Sequence, residues 1–335
     1  MSFSLKKIGI TTTVPIEIIF ASNCVPVDLN NIFITGDNPN SYIENAENEG
    51  FPRSTCAWIK GIFSSILNCE DIDTVIGVIE GDCSNTKALL EVLRLNNIKS
   101  ISFSYPESRK YNDLKEQIEK LCKYFNVSME EVVRVKRELD EARKKAKMLD
   151  ELTWKHNKAT GFENHIWQLC CSDFNGDVAE FNEQITNKIC EIKKREKNTS
   201  RIRIGYIGVP PINSDLYDFV ESLGARIVFN EVQRQFSMAH GIENDDLVEV
   251  YRDFTYPYSI EERLKDINEQ IKVREINGII HYTQAFCFRA IEDIVVKKVI
   301  DVPVLTIEGD RPVALDARTK LRIESFIEMI DEGEV

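Results

Sequence analysis

Strand-sized apolar runs alternate with helix-length segments at both ends of this chain, and that alternation leaves few folds open to it. In the N-terminal part, Lys7–Ile10, Ile32–Thr35, Thr74–Ile79 and Ser100–Phe103 read as strands, separated by helical patterns over Pro15–Ala21, Thr55–Leu67 and Ser84–Leu95. A second set opens with Arg201–Gly208 and continues through Arg226–Phe229, Gly278–His281 and Val302–Ile307. Its expected helices are one capped by Asn213 or Ser214 and ended by Gly224, then Ile260–Lys272, Phe288–Lys298 and Thr319–Ile330. Alternation of this kind builds βαβ units and parallel sheets. Between the two sets, Pro106–Asn198 carries almost no strand pattern, and Leu114, Ile118, Leu121, Cys122 and Phe125 recur at helical spacing. The expected fold class is therefore α/β: two Rossmann-like parallel-sheet domains with a helical insertion or middle domain, divided as residues 1–105, 106–198 and 199–335. A length of 335 residues with 43% hydrophobic content exceeds what one ordinary core organises, which agrees with a divided chain.

Charge and hydropathy remove several function classes. The chain has 42 basic and 55 acidic residues, a net charge of −13, and the cations of Arg134–Lys147 are interleaved with acids at helical spacing. That pattern describes a solvated helix face, so nucleic acid is not an expected partner. The longest apolar runs are strand-sized, and no membrane span is expected. Met1–Lys7 leads straight into a strand without a long apolar region, so the expected location is the cytoplasm.

Nine cysteines in a reduced compartment are not a disulfide framework. No Cys-x-x-Cys pair occurs, which disfavours a zinc ribbon, a thioredoxin-type site and the compact ferredoxin spacing. Any metal site must be assembled from distant segments. Three thiols share one setting: Cys83 follows the strand and glycine turn of Thr74–Asp82, Cys287 follows Ile279–Phe286, and Cys56 falls in a first helical turn. Open α/β sheets bind ligands at strand-to-helix passages, and exposed backbone N–H groups there stabilise a thiolate. Taken singly, each of the three also reads as a small buried apolar residue. Cys69, Cys122 and Cys190 read as core thiols on helix faces, while Cys24, Cys170 and Cys171 stand as candidates for an extra ligand.

Several segments then carry a family resemblance. Pro15-Ile16-Glu17 with Val25-Pro26-Val27-Asp28, Ser54-Thr55-Cys56, Gly81-Asp82-Cys83, His281 to Cys287, and Pro303 to Asp310 together resemble the 2-hydroxyacyl-CoA dehydratase D-component family. That family includes benzoyl-CoA reductase subunits and double-cubane cluster proteins. The resemblance implies that Cys56, Cys83 and Cys287 ligate an iron–sulfur cluster in a cleft between the two α/β domains. The cluster would be a [4Fe–4S] cubane or, with six cysteines from two chains, a double-cubane [8Fe–9S]. It implies a homodimer and a separate ATP-hydrolysing iron–sulfur activator that supplies low-potential electrons; the absence of a Walker A pattern here agrees with a separate ATPase. It also implies an acyl-CoA or small-molecule substrate.

The expected activity is therefore that of an iron–sulfur enzyme component, which dehydrates a 2-hydroxyacyl thioester through a ketyl radical or reduces a small molecule. The short chain, without a specific coenzyme A motif, tilts the reading toward the double-cubane, reductase-like branch. Alternatives are a non-catalytic electron-transfer or maturation subunit, and a metal-free α/β protein that binds a small metabolite. Three further residues are candidates for the chemistry. His281, at a strand end, is the candidate acid or donor to cluster sulfur; Glu308, near Asp310 and Arg311, the candidate proton carrier; Arg53, beside Cys56, the candidate anion partner. Each also has a structural reading: a hydrogen-bonded histidine, a loop-fixing turn and a surface salt bridge, respectively. Gly205–Pro210 lacks the G-x-G-x-x-G spacing of a dinucleotide loop.

Overall fold

The computed structural model describes residues 5–333; the sequence reading of Met1–Ser4 lies outside the described residues. Strands β1 (Lys6–Ile10), β2 (Cys24–Asp28), β3 (Ile72–Glu80) and β4 (Lys99–Ser104) form one sheet, and β5 (Ile202–Gly208), β6 (Ala225–Asn230), β7 (Gly278–Gln284) and β8 (Val304–Gly309) form another. The sheet orders are β2-β1-β3-β4 and β6-β5-β7-β8, and every pairing is parallel. These are two Rossmann-like sheets with the same strand order. β6 and β7 are buried along their whole lengths. That is why their apolar residues are contiguous, Ile227-Val228-Phe229 and Ile279-Ile280, and not alternating: a parallel sheet is covered on both faces.

One expected strand is wrong. Ile32–Thr35 belongs to a helix, Leu29–Thr35, and the strand lies earlier at Cys24–Asp28. Pro26 made that segment look unlike a strand, but β2 is an edge strand, where a missing N–H is tolerated. Asp28 then ends the strand and caps the helix, accepting a hydrogen bond from the Asn30 N–H. Two smaller differences occur at helix starts. Asp215, not Asn213 or Ser214, occupies the N-cap of the Leu216–Ser222 helix. The single helix expected over Phe288–Lys298 is a 3₁₀ turn, Phe288–Glu292, followed by a helix, Asp293–Val299.

The chain folds into two compact units. The first holds the described residues up to Lys144 together with Cys170–Glu183 and Phe236–Ser259; the second holds Lys145–Leu169, Gln184–Gln235 and the chain from Ile260 onward. The helical stretch between the sheets contributes to both. Its helices are Tyr111–Phe125, Met129–Trp154, Gly161–Leu169 and Val178–Lys193.

Each unit is held at its centre by buried charge. In the first, Arg143 donates to Glu17 Oε1 at 2.7 Å and to Asp140 at 3.2 Å, Lys136 donates to Asp140 at 2.6 Å, and the Tyr251 hydroxyl donates to Glu17 Oε2 at 2.8 Å. Glu17 belongs to the loop and helix that follow β1, so this network ties that loop to the long Met129–Trp154 helix. In the second, Arg263 donates to both oxygens of Glu231, at 2.7 and 2.9 Å, and Glu231 also accepts from the Gly208 N–H at 2.9 Å. Gly208 has φ 94°, and a Cβ there would collide with the Tyr282 carbonyl, so only glycine fits.

Candidate functional site

In a parallel sheet the strand C-termini share one edge, and the ligand-bearing loops gather there. Cys83 and Cys287 both occupy that position. β3 ends at Glu80 and β7 at Gln284, so each cysteine lies three residues past the third strand of its unit. The loop before Cys287 is therefore no longer than the one before Cys83. A close backbone turn follows in both: the Thr86 N–H donates to the Cys83 carbonyl at 3.1 Å, and the Ala290 N–H donates to the Cys287 carbonyl at 3.1 Å.

Cys56 stands at the N-cap of the Ala57–Asn68 helix, just before the first helical turn in which the sequence placed it. Its thiol makes no capping hydrogen bond. It is only 6% exposed and belongs to the same apolar cluster that Cys83 packs against, with Trp58, Ile59, Phe63, Val75 and Leu89. Unit one thus brings two of the three thiols into one apolar environment beside two helix starts. The indole Nε1 of Trp58, in that cluster, and the hydroxyl Oγ1 of Thr86, three residues after Cys83, are buried without a hydrogen-bond partner among the described residues.

The turn leading to Cys56 is fastened from below. Lys60, one helical turn on, is 3% exposed, and its Nζ donates to Glu47 Oε1 at 2.8 Å and to the Arg53 carbonyl at 3.0 Å. Arg53 itself points its side chain outward and is exposed. Sequence reasoning assigned the cation near Cys56 to Arg53 and missed Lys60. The signal was present: Lys60 is the lone charge in the apolar run Ala57-Trp58-Ile59-Lys60-Gly61-Ile62-Phe63.

In unit two, Cys287 caps the Phe288–Glu292 turn, and its N–H donates to the Gln284 carbonyl at 3.0 Å. Phe286, immediately before it, has φ 64°, an uncommon backbone conformation for a bulky residue. Phe286 and Phe288 are both exposed. Gln284 is anchored through Nε2, which donates to the Asp310 carbonyl at 2.9 Å.

His281 lies inside β7, 2% exposed. Its Nδ1 shares a hydrogen bond with Asp293 Oδ1 at 2.7 Å, and the same carboxylate accepts from Thr306 Oγ1 at 2.6 Å and pairs with Lys297 at 2.7 Å. Burial pushes the His281 pKa down, and the Asp293 hydrogen bond offsets that only in part, so the ring is neutral at pH 7. Burial would raise Asp293, but its bonds from Lys297, Thr306 and His281 outweigh it and hold the carboxyl below the usual range. Glu308 is exposed on β8, in register with Thr283.

The remaining cysteines divide. Cys122 is buried and Cys69 packs at the margin of the unit-one cluster, although at a helix C-cap and not on a helix face. Cys190, expected in a core, is exposed. Cys170 and Cys171 lie in a short 3₁₀ turn, where burial pushes the Cys170 thiol up to about 12 and Cys171 higher still. Cys24 opens β2, half-buried. Among the described residues, no three His, Cys, Asp or Glu side chains stand grouped closely enough to hold a metal ion. No helix among them is long and apolar enough to cross a membrane. A cavity of about 430 Å³ opens at the start of β8, lined by residues including Lys297, Asp301, Pro303 and Met329, at the strand end opposite to that of Cys287.

The family described as 2-hydroxyglutaryl-CoA dehydratase, D-component, matches residues 11–330, from the loop after β1 into the last helix. The chain belongs to that family. No curated protein matches the chain. The D-component family is one of iron–sulfur proteins, and the donor chemistry can be tested against that. Cys56 and Cys83 are soft sulfur donors in one apolar cluster, each beside a helix start whose N–H groups favour an anion, and two buried hydrogen-bond donors near them lack acceptors. Two thiols of unit one therefore suit an iron–sulfur centre. Glu17 and Asp28, in the segments that carry the resemblance, have a different part: both are buried and hydrogen-bonded, and they shape the loops of the first sheet.

Proposed function

We propose that this D-component is the catalytic partner of an ATP-hydrolysing iron–sulfur activator and works in the cytoplasm, as a homodimer, on an acyl-CoA or other small reducible substrate. Cys56, Cys83 and Cys287 are the proposed ligands of its cluster, a single cubane or a double cubane. When bound, the cluster supplies one low-potential electron at a time, for reduction of the substrate or for radical dehydration of a 2-hydroxyacyl-CoA.

The observation that carries this reading is the repeated placement of Cys83 and Cys287, three residues past the third strand of sheets with one strand order, with Cys56 sharing the Cys83 cluster. The surrounding residues have distinct parts in it. Neutral His281 keeps a ring proton and is oriented through Nδ1 by Asp293. Exposed Glu308 carries a proton from solvent to the C-terminal end of β8. Arg53, exposed on the turn before Cys56, offers a guanidinium to an anionic group of the substrate. The 3% exposed Lys60 holds the Arg53 carbonyl and so sets the direction of that turn.

Anaerobic purification and reconstitution, followed by iron and sulfide analysis, tests the reading. Wild-type protein should carry stoichiometric iron, Cys83→Ser and Cys287→Ser should lose most of it, and Cys190→Ser should keep it. Wild-type protein without iron would sink the proposal. Reduction of the loaded protein should depend on the activator and on ATP hydrolysis.

A further inference from the structure

Buried hydrogen-bond donors without acceptors are rare in folded proteins, and each calls for a partner. Two of them lie in unit one, close in sequence to two of the proposed ligands. Trp58 Nε1 is two residues after Cys56, and Thr86 Oγ1 is three residues after Cys83; both atoms are buried with no partner among the described residues. Trp58, Cys56 and Cys83 pack in the same cluster, and the N–H of Thr86 donates to the Cys83 carbonyl, which folds the residue back against the cysteine. Both side-chain groups are suited to donate, and neither the apolar neighbours nor the thiol of a neutral cysteine offers a strong acceptor.

We propose that Trp58 and Thr86 are positioning residues that donate hydrogen bonds to sulfur of the centre held by Cys56 and Cys83, and thereby set its reduction potential. The inference rests on the proposed cluster reading. A donor to sulfur stabilises the more negative, reduced state more than the oxidised one, so each bond raises the potential. A packing role makes the opposite forecast: an indole or hydroxyl buried only for its bulk is replaceable by an apolar group of the same shape without electronic effect.

The test compares Trp58→Phe, Thr86→Val and Thr86→Ser with wild type, all purified and reconstituted anaerobically. Iron and sulfide content, midpoint potential and the electron paramagnetic resonance of the reduced protein are read for each. Trp58→Phe and Thr86→Val together should retain iron and favour the oxidised state about tenfold, a shift of about 59 mV to more negative potential for one electron. Thr86→Ser, which keeps the hydroxyl, should hold the wild-type potential and spectrum. If Thr86→Val loses the centre while Thr86→Ser keeps it, the hydroxyl is again assigned to the sulfur. An unchanged potential in fully loaded Trp58→Phe and Thr86→Val overturns the inference, as does a Thr86→Ser variant that shifts as far as Thr86→Val. Wild-type protein that takes up no iron is a different outcome: it removes the cluster reading itself, and this inference with it.

Discussion

The two units share a strand order and a cysteine three residues past the third strand, yet they hold those cysteines by different means. Unit one places a glycine in the left-handed position, Gly81 at φ 93°, directly after the strand. Unit two places Phe286 there at φ 64°, one residue further on and adjacent to Cys287. Unit one also packs the half-buried Cys83 against an apolar cluster and adds the buried Cys56, whereas Cys287 lies between the exposed Phe286 and Phe288. The same scaffold therefore yields two half-buried cysteines, Cys83 against an apolar cluster and Cys287 between exposed rings, with the buried Cys56 added in unit one. Strand order fixes where a loop emerges; the residues packed over that loop decide how enclosed it is.

The largest test of this comparison is at the buried charges. In unit one, Glu17, Arg143, Asp140 and Lys136 balance as two carboxylates against two cations, all within a few per cent of full burial. Glu17→Gln leaves a net positive charge with no route to water, and should cost about 3–5 kcal/mol in chemical unfolding. In unit two, Arg263 retains Glu292 at 2.5 Å after Glu231→Gln, and Glu292 is 18% exposed, so some solvent reaches the remaining pair. The loss there should be smaller, about 2 kcal/mol. Equal losses in the two variants would contradict the account of unit one as the more enclosed.

The pH dependence should differ in sign between the units. In unit two, burial pushes the His165 pKa from 6.5 down to about 3. The unfolded chain then binds a proton that the folded chain refuses, so this contribution is complete above pH 6.5 and falls as pH drops toward 3; between pH 7 and pH 5 the loss is about 2 kcal/mol. In unit one, burial and the nearby Asp28 carboxyl push Asp173 from 3.8 up to about 7. Here the folded chain binds the extra proton, so stability is present at acid pH and lost as pH rises from about 4 to about 7. The two trends oppose each other in the whole protein. Urea unfolding at pH 5 and pH 7 should separate them: His165→Gln should leave a stability that falls toward neutral pH, and Asp173→Asn one that rises. A slope unaltered by either substitution would remove that residue as its source.

These differences mark what the sequence made legible. Strand–helix alternation announced parallel sheets, and the contiguous Ile227-Val228-Phe229 and Ile279-Ile280 agree with strands covered on both faces, although Arg226, Asn230 and His281 are buried in them too. β2 was missed because Pro26 counts against a strand everywhere except at an edge, and edge position is a property of the assembled sheet. The places of Cys83 and Cys287 just past a strand and of Cys56 at a helix start were legible from their turns. Lys60 was less so, since a single lysine in an apolar helix reads as a surface residue until Glu47 and the Arg53 carbonyl are seen to meet it. Glu17 and Asp28 stood out in the family motif, but their partners Arg143 and Asp173 lie more than a hundred residues away, and no local pattern connects them.

The smallest effect returns to the two left-handed residues. A Cβ at Gly81 would lie 2.8 Å from Tyr105 Cβ and 2.9 Å from the Pro257 carbonyl, so Gly81→Ala combines backbone strain with a collision and should cost about 1–3 kcal/mol. Phe286 is 55% exposed, and its ring contributes little burial to offset a strained backbone. Asparagine tolerates the left-handed region better than phenylalanine, so Phe286→Asn should change stability by less than about 1 kcal/mol. If Phe286→Asn instead unfolds the protein as readily as Gly81→Ala, the ring is part of the fold and the contrast between the two cysteine turns fails. If stability holds while the proposed cluster becomes more easily lost to oxygen, Phe286 is kept in its unfavourable conformation for the shelter its ring gives Cys287.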